Sequence, residues 1–373
     1  MSTGPLRVGY DLTALPLDHS GTARVAVDLR YALAERADTD LHPLAPPPST
    51  PSMRIVRGLF RELNWYPSGL PRLVRRLELD VLHCPIPLAP RRSPVPLVLT
   101  VHDAMQWDHP HWFPRMTRLY GVLLVASLRR ATRVITPSND SRQRLLSALD
   151  LDPERVDVTP YGVDERFSPG APSPAILESL GVPQPYLLTV GTLQPRKNLE
   201  AALRAFERLA DAGAEHHLVV AGARGWGDDS LVARLERARW HSRIHLVGRV
   251  ADDSLVTLYR GADCFVFPSR GEGFGLPLLE AMACGTPVVA SRASSIPQLV
   301  GDARVLVDPD DVGEIVGALE RDVGSPATRT ELVRRGRERA RDFTWARCAD
   351  LTVRAYRRAL GEEGTERLES AGP

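Results

Sequence analysis

Cys264-Phe265-Val266-Phe267-Pro268-Ser269-Arg270-Gly271-Glu272-Gly273-Phe274-Gly275-Leu276-Pro277-Leu278-Leu279-Glu280 runs from an apolar, strand-like segment through a glycine-rich turn into a helix. Pro277 suits a first helical turn, where its missing N–H costs nothing, and Gly285 with Pro287 closes the helix two turns later. Gly273 and Gly275 permit close backbone approach. The N–H groups from Phe274 to Leu278, Leu276 among them, are expected to point out of the helix N-terminus, a place where anions bind. Glu272 precedes the turn and Glu280 lies inside the helix, so the two carboxylates do not share a face and would bracket different parts of one ligand. As an isolated pair they read more readily as a dipole-facing glutamate and a solvated loop residue.

The same strand, turn and helix rhythm extends in both directions, which predicts an α/β chain with parallel sheets. Upstream, strands are predicted near Leu6–Asp11, Val81–His83, Leu97–Val101, Arg133–Thr136 and Val156–Thr159, with helices beginning near Thr22, Arg115 and Asn139. The proline-rich stretch from Leu41 to Ser52 is read as a loop. After a second proline-rich break, Ser168 to Pro185, strands recur at Tyr186–Val190, His217–Ala221, Ile244–Val247, Cys264–Phe267, Val288–Ala290 and Arg304–Val307. Two doubly wound domains are therefore expected, residues 1–170 and 183–343, facing each other across a cleft. A last amphipathic segment, 344–362, carries Trp345, Cys348, Leu351, Val353, Tyr356 and Leu360 on one stripe and is expected to dock on a domain surface.

Val190-Gly191-Thr192-Leu193-Gln194-Pro195-Arg196-Lys197-Asn198 ends one such strand and opens a helix, with Asn198 as its predicted cap. Lys197 is the only lysine of the chain. In a sequence that otherwise uses arginine, this lysine points to a need for a compact ammonium, and a phosphate oxygen is its natural partner. Arg196 beside it and the Gly191 turn make a cationic loop at a strand's carboxyl end. Gly21, between the first strand and its helix, could bring its N–H to a phosphate, although no GxGxxG accompanies it. His102, in Thr100-Val101-His102-Asp103, follows another strand end and could serve as donor, acceptor or weak base. Asp38-Thr39-Asp40, Asp150-Leu151-Asp152 and Asp308-Pro309-Asp310 have metal-binding spacing but fall in peripheral loops, so no metal site is expected.

Composition narrows the class further. Lys and Arg number 47 against 46 Asp and Glu, a balance that gives no signature of nucleic-acid binding. Cys84, Cys264, Cys284 and Cys348 are far apart and read as buried thiols in a reducing cytoplasm. The opening residues lack a charged-then-apolar leader and no later run is long enough to cross a bilayer, so a cytoplasmic protein is expected. Between Pro51 and Arg92, Arg54, Arg57, Arg61, Arg72, Arg75, Arg76, Arg91 and Arg92 outnumber Glu62, Glu78 and Asp80 and alternate with Leu59, Phe60, Trp65 and Tyr66. That composition fits either an anionic membrane surface or a solvated helix face.

Taken together, these segments resemble glycosyltransferase family 4, the retaining enzymes of two-domain GT-B architecture. The resemblance is carried by Glu272 to Glu280 followed by Ala281-Met282-Ala283-Cys284-Gly285-Thr286-Pro287-Val288-Val289-Ala290, which looks like the family's donor-site signature. Gly191, Arg196 and Lys197 match its diphosphate cluster, Gly21 its amino-terminal glycine loop and His102 its cleft histidine. Tyr161-Gly162-Val163-Asp164 is similar to its interdomain motif, with Tyr161 in place of the commoner Asn.

The resemblance implies that Glu280 binds the ribose hydroxyls of a nucleotide sugar. Glu272 with the backbone at Phe274 and Gly275 would hold the sugar, Arg196 and Lys197 the diphosphate, and Val250 the base through its backbone. It further implies that the last helix packs back on the first domain. Val101 to Pro114 is similar to a mannosyltransferase-rich branch, which points to GDP-mannose as donor and to a saccharide or lipid-linked acceptor. No cofactor is expected, because the cationic loop supplies the charge a metal would. A GT-B sugar-nucleotide epimerase and a UDP-sugar-dependent transferase are the alternatives.

Overall fold

The computed structural model describes residues 4–13, 21–46, 61–113, 115–225, 229–303 and 305–362. The chain forms two compact units, one of residues 1–162 with 345–372 and the other essentially 163–344.

The first unit holds a six-stranded sheet of β1 (Leu6–Asp11), β2 (Thr39–Leu44), β3 (Val81–Cys84), β4 (Leu97–Thr100), β5 (Arg133–Thr136) and β6 (Val156–Val158). Its order is β2-β1-β3-β4-β5-β6, with every pairing parallel. β3, β4 and β5 are buried at every residue, and so read in sequence as short continuous apolar runs. β2 departs from the sequence expectation, which placed a loop from Leu41. It is an edge strand, where Pro43 gives up no ladder bond that a central strand would need. Leu70, Val74, Leu82, Leu99, Leu128 and Leu145 fill the core on one side of this sheet.

The helix Trp345–Ala359 belongs to this unit. It packs on the helix Gly21–Ala34 and on β4 and β5. Tyr356 places its hydroxyl 2.6 Å from Nδ1 of His83, whose Nε2 meets the Thr100 hydroxyl at 2.8 Å. Asp157 accepts hydrogen bonds from both Arg133 and Arg358, fastening the helix to β5 and β6. The buried stripe is Cys348, Ala349, Thr352, Val353, Ala355 and Tyr356, and the expected Trp345, Leu351 and Leu360 are only half-buried. Thr352 enters the core because its hydroxyl bonds back to the Cys348 carbonyl at 2.7 Å.

The second unit carries β7 (Tyr186–Val190), β8 (His217–Ala221), β9 (Ile244–Gly248), β10 (Cys264–Phe267), β11 (Val288–Ser291) and β12 (Val305–Val307), in the order β12-β11-β10-β7-β8-β9 and again all parallel. The order reverses between β7 and β10, and ligands of open parallel sheets bind beyond the strand carboxyl ends at such a switch point. The amphipathic helix Leu199–Asp211 lays Leu199, Leu203, Phe206 and Leu209 on the sheet.

The break expected to link two domains from Ser168 to Pro185 is instead docked on this second unit, and the boundary falls at Gly162 and Val163. Phe167 meets Tyr259 edge-on at 6.1 Å, Arg260 donates to the Ser168 carbonyl at 2.8 Å, and Leu177 and Val182 are buried. All four cysteines are buried and unpaired with one another.

Candidate active site

β7 and β10 deliver the two loops that matter most. After β7 the chain turns at Gly191, and Pro195–Lys197 form one tight helical turn before the helix Leu199–Asp211. Asn198 occupies the cap position in a left-handed conformation, but its side chain does not cap the helix. Its amide donates to the Pro309 carbonyl at 2.6 Å, tying this loop to the one after β12. After β10, the Arg270 N–H donates to the Arg196 carbonyl at 2.8 Å, and the Arg196 guanidinium donates to the Gly271 carbonyl at 2.8 Å. Two loops distant in sequence are thereby zipped together at the switch point.

Glu272 lies at their centre, 5% exposed. Lys197 Nζ is 2.6 Å from its Oε1, Arg196 Nη1 is 3.1 Å from its Oε2, and the Ser269 hydroxyl donates to Oε1 at 2.6 Å. Burial alone would raise this carboxyl's pKa. The adjacent charges of Lys197 and Arg196, with the hydrogen bonds from Lys197 and Ser269, outweigh it and hold Glu272 below the usual carboxylate range. The backbone of the turn is pinned as well. The Glu272 N–H donates to the Ser294 hydroxyl at 2.8 Å, and the Ser295 hydroxyl donates to the carbonyls of Glu272 and Phe274 at 2.9 and 3.0 Å. Ser269, Ser294 and Ser295 were not singled out in the sequence, where Ser294-Ser295 is an unremarked pair following β11.

The helix starts as expected at Leu276 and ends at Cys284. Gly275, before it, has φ 106° and ψ 42°, a conformation that favours glycine, and a Cβ there would press at 3.1 Å on the Leu299 side chain. The expectation for the helix start needs one correction. The Leu278 N–H is bonded to the Gly275 carbonyl at 2.9 Å and Pro277 has no N–H, so neither offers a donor to an anion. Glu280 is 2% exposed on the buried side of this helix and accepts from the Tyr259 hydroxyl at 2.9 Å. Its burial replaces the reading of a helix-capping surface glutamate. Val250 is half-buried in the turn between β9 and the helix Asp252–Gly261.

Gly222, after β8, is a second position that the sequence reading passed over. A Cβ there would sit 1.9 Å from the Gly191 carbonyl oxygen, so the β7 and β8 loops approach as closely as they do only because residue 222 is glycine.

Gly21 and His102 lie in the first unit. Gly21 is the exposed first residue of the helix Gly21–Ala34, and a Cβ there would meet nothing within 4 Å. His102 follows β4 at that sheet's carboxyl edge. Its Nε2 is 2.7 Å from the Pro85 carbonyl and must therefore carry the proton, so Nδ1 accepts from the Tyr161 hydroxyl at 2.7 Å. Burial pushes the ring's pKa down to about 4, and it is neutral at pH 7. Both nitrogens are thus engaged within the unit. Tyr161 also stacks on Trp345, with ring centroids 6.2 Å apart.

The aspartate pairs with metal-like spacing do local structural work. Asp38 pairs with Arg36 and Arg357, Asp152 caps the turn Pro153–Arg155, and Asp310 pairs with Arg270. Trp65 and Tyr66 are buried, their polar atoms bonded to Thr13 and Asp11 at 2.8 and 3.0 Å, so they are not available to a membrane. Arg54, Arg57, Leu59 and Phe60 lie outside the described residues. Among the described residues, no helix is long and apolar enough to cross a membrane.

Two Rossmann-like units, one with a cationic loop and a buried carboxylate pair at its switch point, define a GT-B protein that handles a nucleotide sugar. Residues 176–339 match the family described as "Glycosyl transferases group 1", and residues 19–167 match "Glycosyltransferase Family 4". O-antigen chain mannosyltransferase B of Escherichia coli is 34% identical over 265 residues, covering 70% of each chain. The D-inositol 3-phosphate glycosyltransferase of Saccharomonospora viridis is 35% identical over 311 residues, 76% of this chain and 69% of that one. Sucrose-phosphate synthase from Thermosynechococcus elongatus superposes with a TM-score of 0.75 at 21% identity, over 96% of this chain and 100% of that one. The chain belongs to glycosyltransferase family 4 and is a nucleotide-sugar-dependent hexosyltransferase with the GT-B fold.

Proposed function

We propose that the protein transfers mannose from GDP-mannose to a hydroxyl of a saccharide or lipid-linked acceptor, with retention at the anomeric carbon and without a metal. The observation that carries this reading is the grouping of Lys197, Arg196 and Glu272 at the switch point of the second unit. The likeness to an O-antigen mannosyltransferase supports the choice of sugar. Lys197 and Arg196 stabilise the charge that grows on the diphosphate as the glycosidic bond breaks. Glu280 takes the ribose hydroxyls, Val250 meets the base, and Gly191 with the backbone from Gly273 to Leu276 lines the sugar and diphosphate.

Double displacement needs a carboxylate nucleophile. Glu272, held by two cations with its charge already satisfied, is a poor one. Attack of the acceptor from the leaving-group side, with the diphosphate receiving its proton, therefore fits better. His102, neutral and held at both nitrogens, positions the surrounding loop rather than accepting that proton. The enzyme would work in the cytoplasm, and the exposed Arg72, Arg75, Arg76, Arg91 and Arg92 suit peripheral contact with an anionic membrane.

The test is donor turnover with GDP-mannose, UDP-glucose and UDP-N-acetylglucosamine, paired with thermal shifts, where a ligand at a hundred times its Kd stabilises by about 2.7 kcal/mol. Preference for either UDP-sugar overturns the donor assignment. An inverted anomeric proton in the product spectrum overturns retention.

A further inference from the structure

The segment following His102 in the first unit carries chemistry that the donor site does not use. The short helix Met105–Asp108 and the turn Pro110–Trp112 lie beyond the carboxyl end of β4, against the helix Asn139–Leu149 that follows β5. Three rings gather there. His109 stacks on Trp112 with centroids 4.2 Å apart, and His111 meets both edge-on, at 5.9 Å from His109 and 5.7 Å from Trp112. His111 is exposed, and His109 and Trp112 are half-buried.

Carboxylates border the rings. Asp108 Oδ2 is 3.4 Å from the His109 ring, and Arg144 joins Asp108 to Asp140, reaching the latter at 2.8 Å. Burial, with the neighbouring charge of Asp103, pushes Asp140 up to about 6.

We propose that His109, His111 and Trp112, bordered by Asp108 and Asp140, form the subsite that holds the terminal sugar of the acceptor. The inference rests on the transferase reading above and adds to it the chemical class of group that the first unit receives. A pyranose offers an apolar C–H face that packs on an aromatic ring, and a rim of hydroxyls that donate to carboxylates. An anion is disfavoured, because the one guanidinium among these side chains, Arg144, is already shared between Asp108 and Asp140. The donor's diphosphate therefore does not belong here, and a neutral polyol does. Pro110 stiffens the turn that presents the rings, which lowers the ordering penalty of binding.

The test uses the full chain and methyl α-D-mannopyranoside, with binding followed by saturation-transfer NMR and donor turnover measured separately. Wild type should bind the glycoside, and Trp112→Ala should weaken it about fivefold to tenfold, the worth of one stacked ring. His111→Ala, at an exposed position, should weaken it about threefold. Trp112→Phe should restore most of the loss, and turnover of GDP-mannose without acceptor should be unchanged in all three variants. No binding by wild type, or equal binding by wild type, Trp112→Ala and His111→Ala, overturns the subsite. Failure of wild type to turn over any sugar nucleotide would instead sink the transferase reading.

Discussion

Nζ of Lys197 lies 2.6 Å from Oε1 of Glu272, although 75 residues separate them in the chain. The chain's only lysine is therefore aimed by a buried carboxylate. The same carboxylate also holds Arg196, so one residue sets the geometry of both cations.

This pairing changes what the sequence alone would suggest for Glu272. Without the carboxylate, the two cations present one more net positive charge to a diphosphate. Glu272→Gln should bind GDP about threefold to tenfold more tightly while turnover falls, because the cations lose their alignment. Lys197→Ala should weaken GDP and GDP-mannose alike by about tenfold or more. Calorimetric titration of GDP into both variants decides, and equal losses of GDP affinity would remove the assignment of roles.

Glu280 is bonded to Tyr259 on the buried side of its helix, so the ribose-binding role proposed for it is tested by ligand affinity. Glu280→Gln keeps an oxygen toward Tyr259 and should change Tm little. It should weaken GDP about tenfold by losing a charged acceptor for ribose hydroxyls. If GDP affinity is retained while Tm drops, Glu280 is a fold residue only.

The Tyr161 hydroxyl, as donor to Nδ1 of His102, favours the neutral ring. Burial is what pushes the ring down to about 4, so Tyr161→Phe, which leaves the ring buried, should keep His102 neutral at pH 7. Nitrogen-15 NMR of the histidine rings should report Nε2–H as the tautomer in wild type and an uncharged ring at pH 7 in both proteins. A ring protonated at pH 7 in Tyr161→Phe would show instead that the tyrosine hydroxyl, not burial, sets its state.

His83, between Tyr356 and Thr100 in the core of the first unit, is pushed down to about 3, chiefly by burial. A histidine depressed in the folded state favours folding above its unfolded pKa near 6.5 and loses that contribution as pH falls. By pH 5 the loss is roughly 2 kcal/mol for this ring. Urea unfolding at pH 7.5 and pH 5 should show it, and His83→Gln, less stable at pH 7.5, should show a smaller drop between the two. An equal drop in both proteins would put the acid sensitivity elsewhere.

Gly222→Ala should be severe and Gly21→Ala mild. A methyl group at 222 would sit 1.9 Å from a backbone oxygen, whereas at 21 it meets nothing within 4 Å. The first substitution should lower stability by about 3 kcal/mol or more and abolish GDP binding, and the second should shift stability by less than about 1 kcal/mol. Circular dichroism melts with GDP titration check both, and a stable, GDP-binding Gly222→Ala would contradict the close approach of the two loops.

Eleven of the twelve strands among the described residues were legible in the sequence, because parallel strands covered on both faces become short runs of Val, Ile and Leu between turn residues. β2 escaped because an edge strand tolerates Asp40, His42 and Pro43, which erase the apolar run. The donor loop was legible too, since glycines, a proline at the helix start and two glutamates are local signals read from consecutive residues.

Only the tertiary structure decided which groups meet. That Glu272 aims Lys197, that Ser294 and Ser295 pin the turn, that Tyr161 fixes His102 and that Gly222 yields to the Gly191 carbonyl all depend on strand order and loop path. The local sequence is blind to such pairs because each partner, taken alone, is chemically ordinary. Their meeting is set by the packing of one sheet, which places β7 beside β10 although β8 and β9 come between them in the chain.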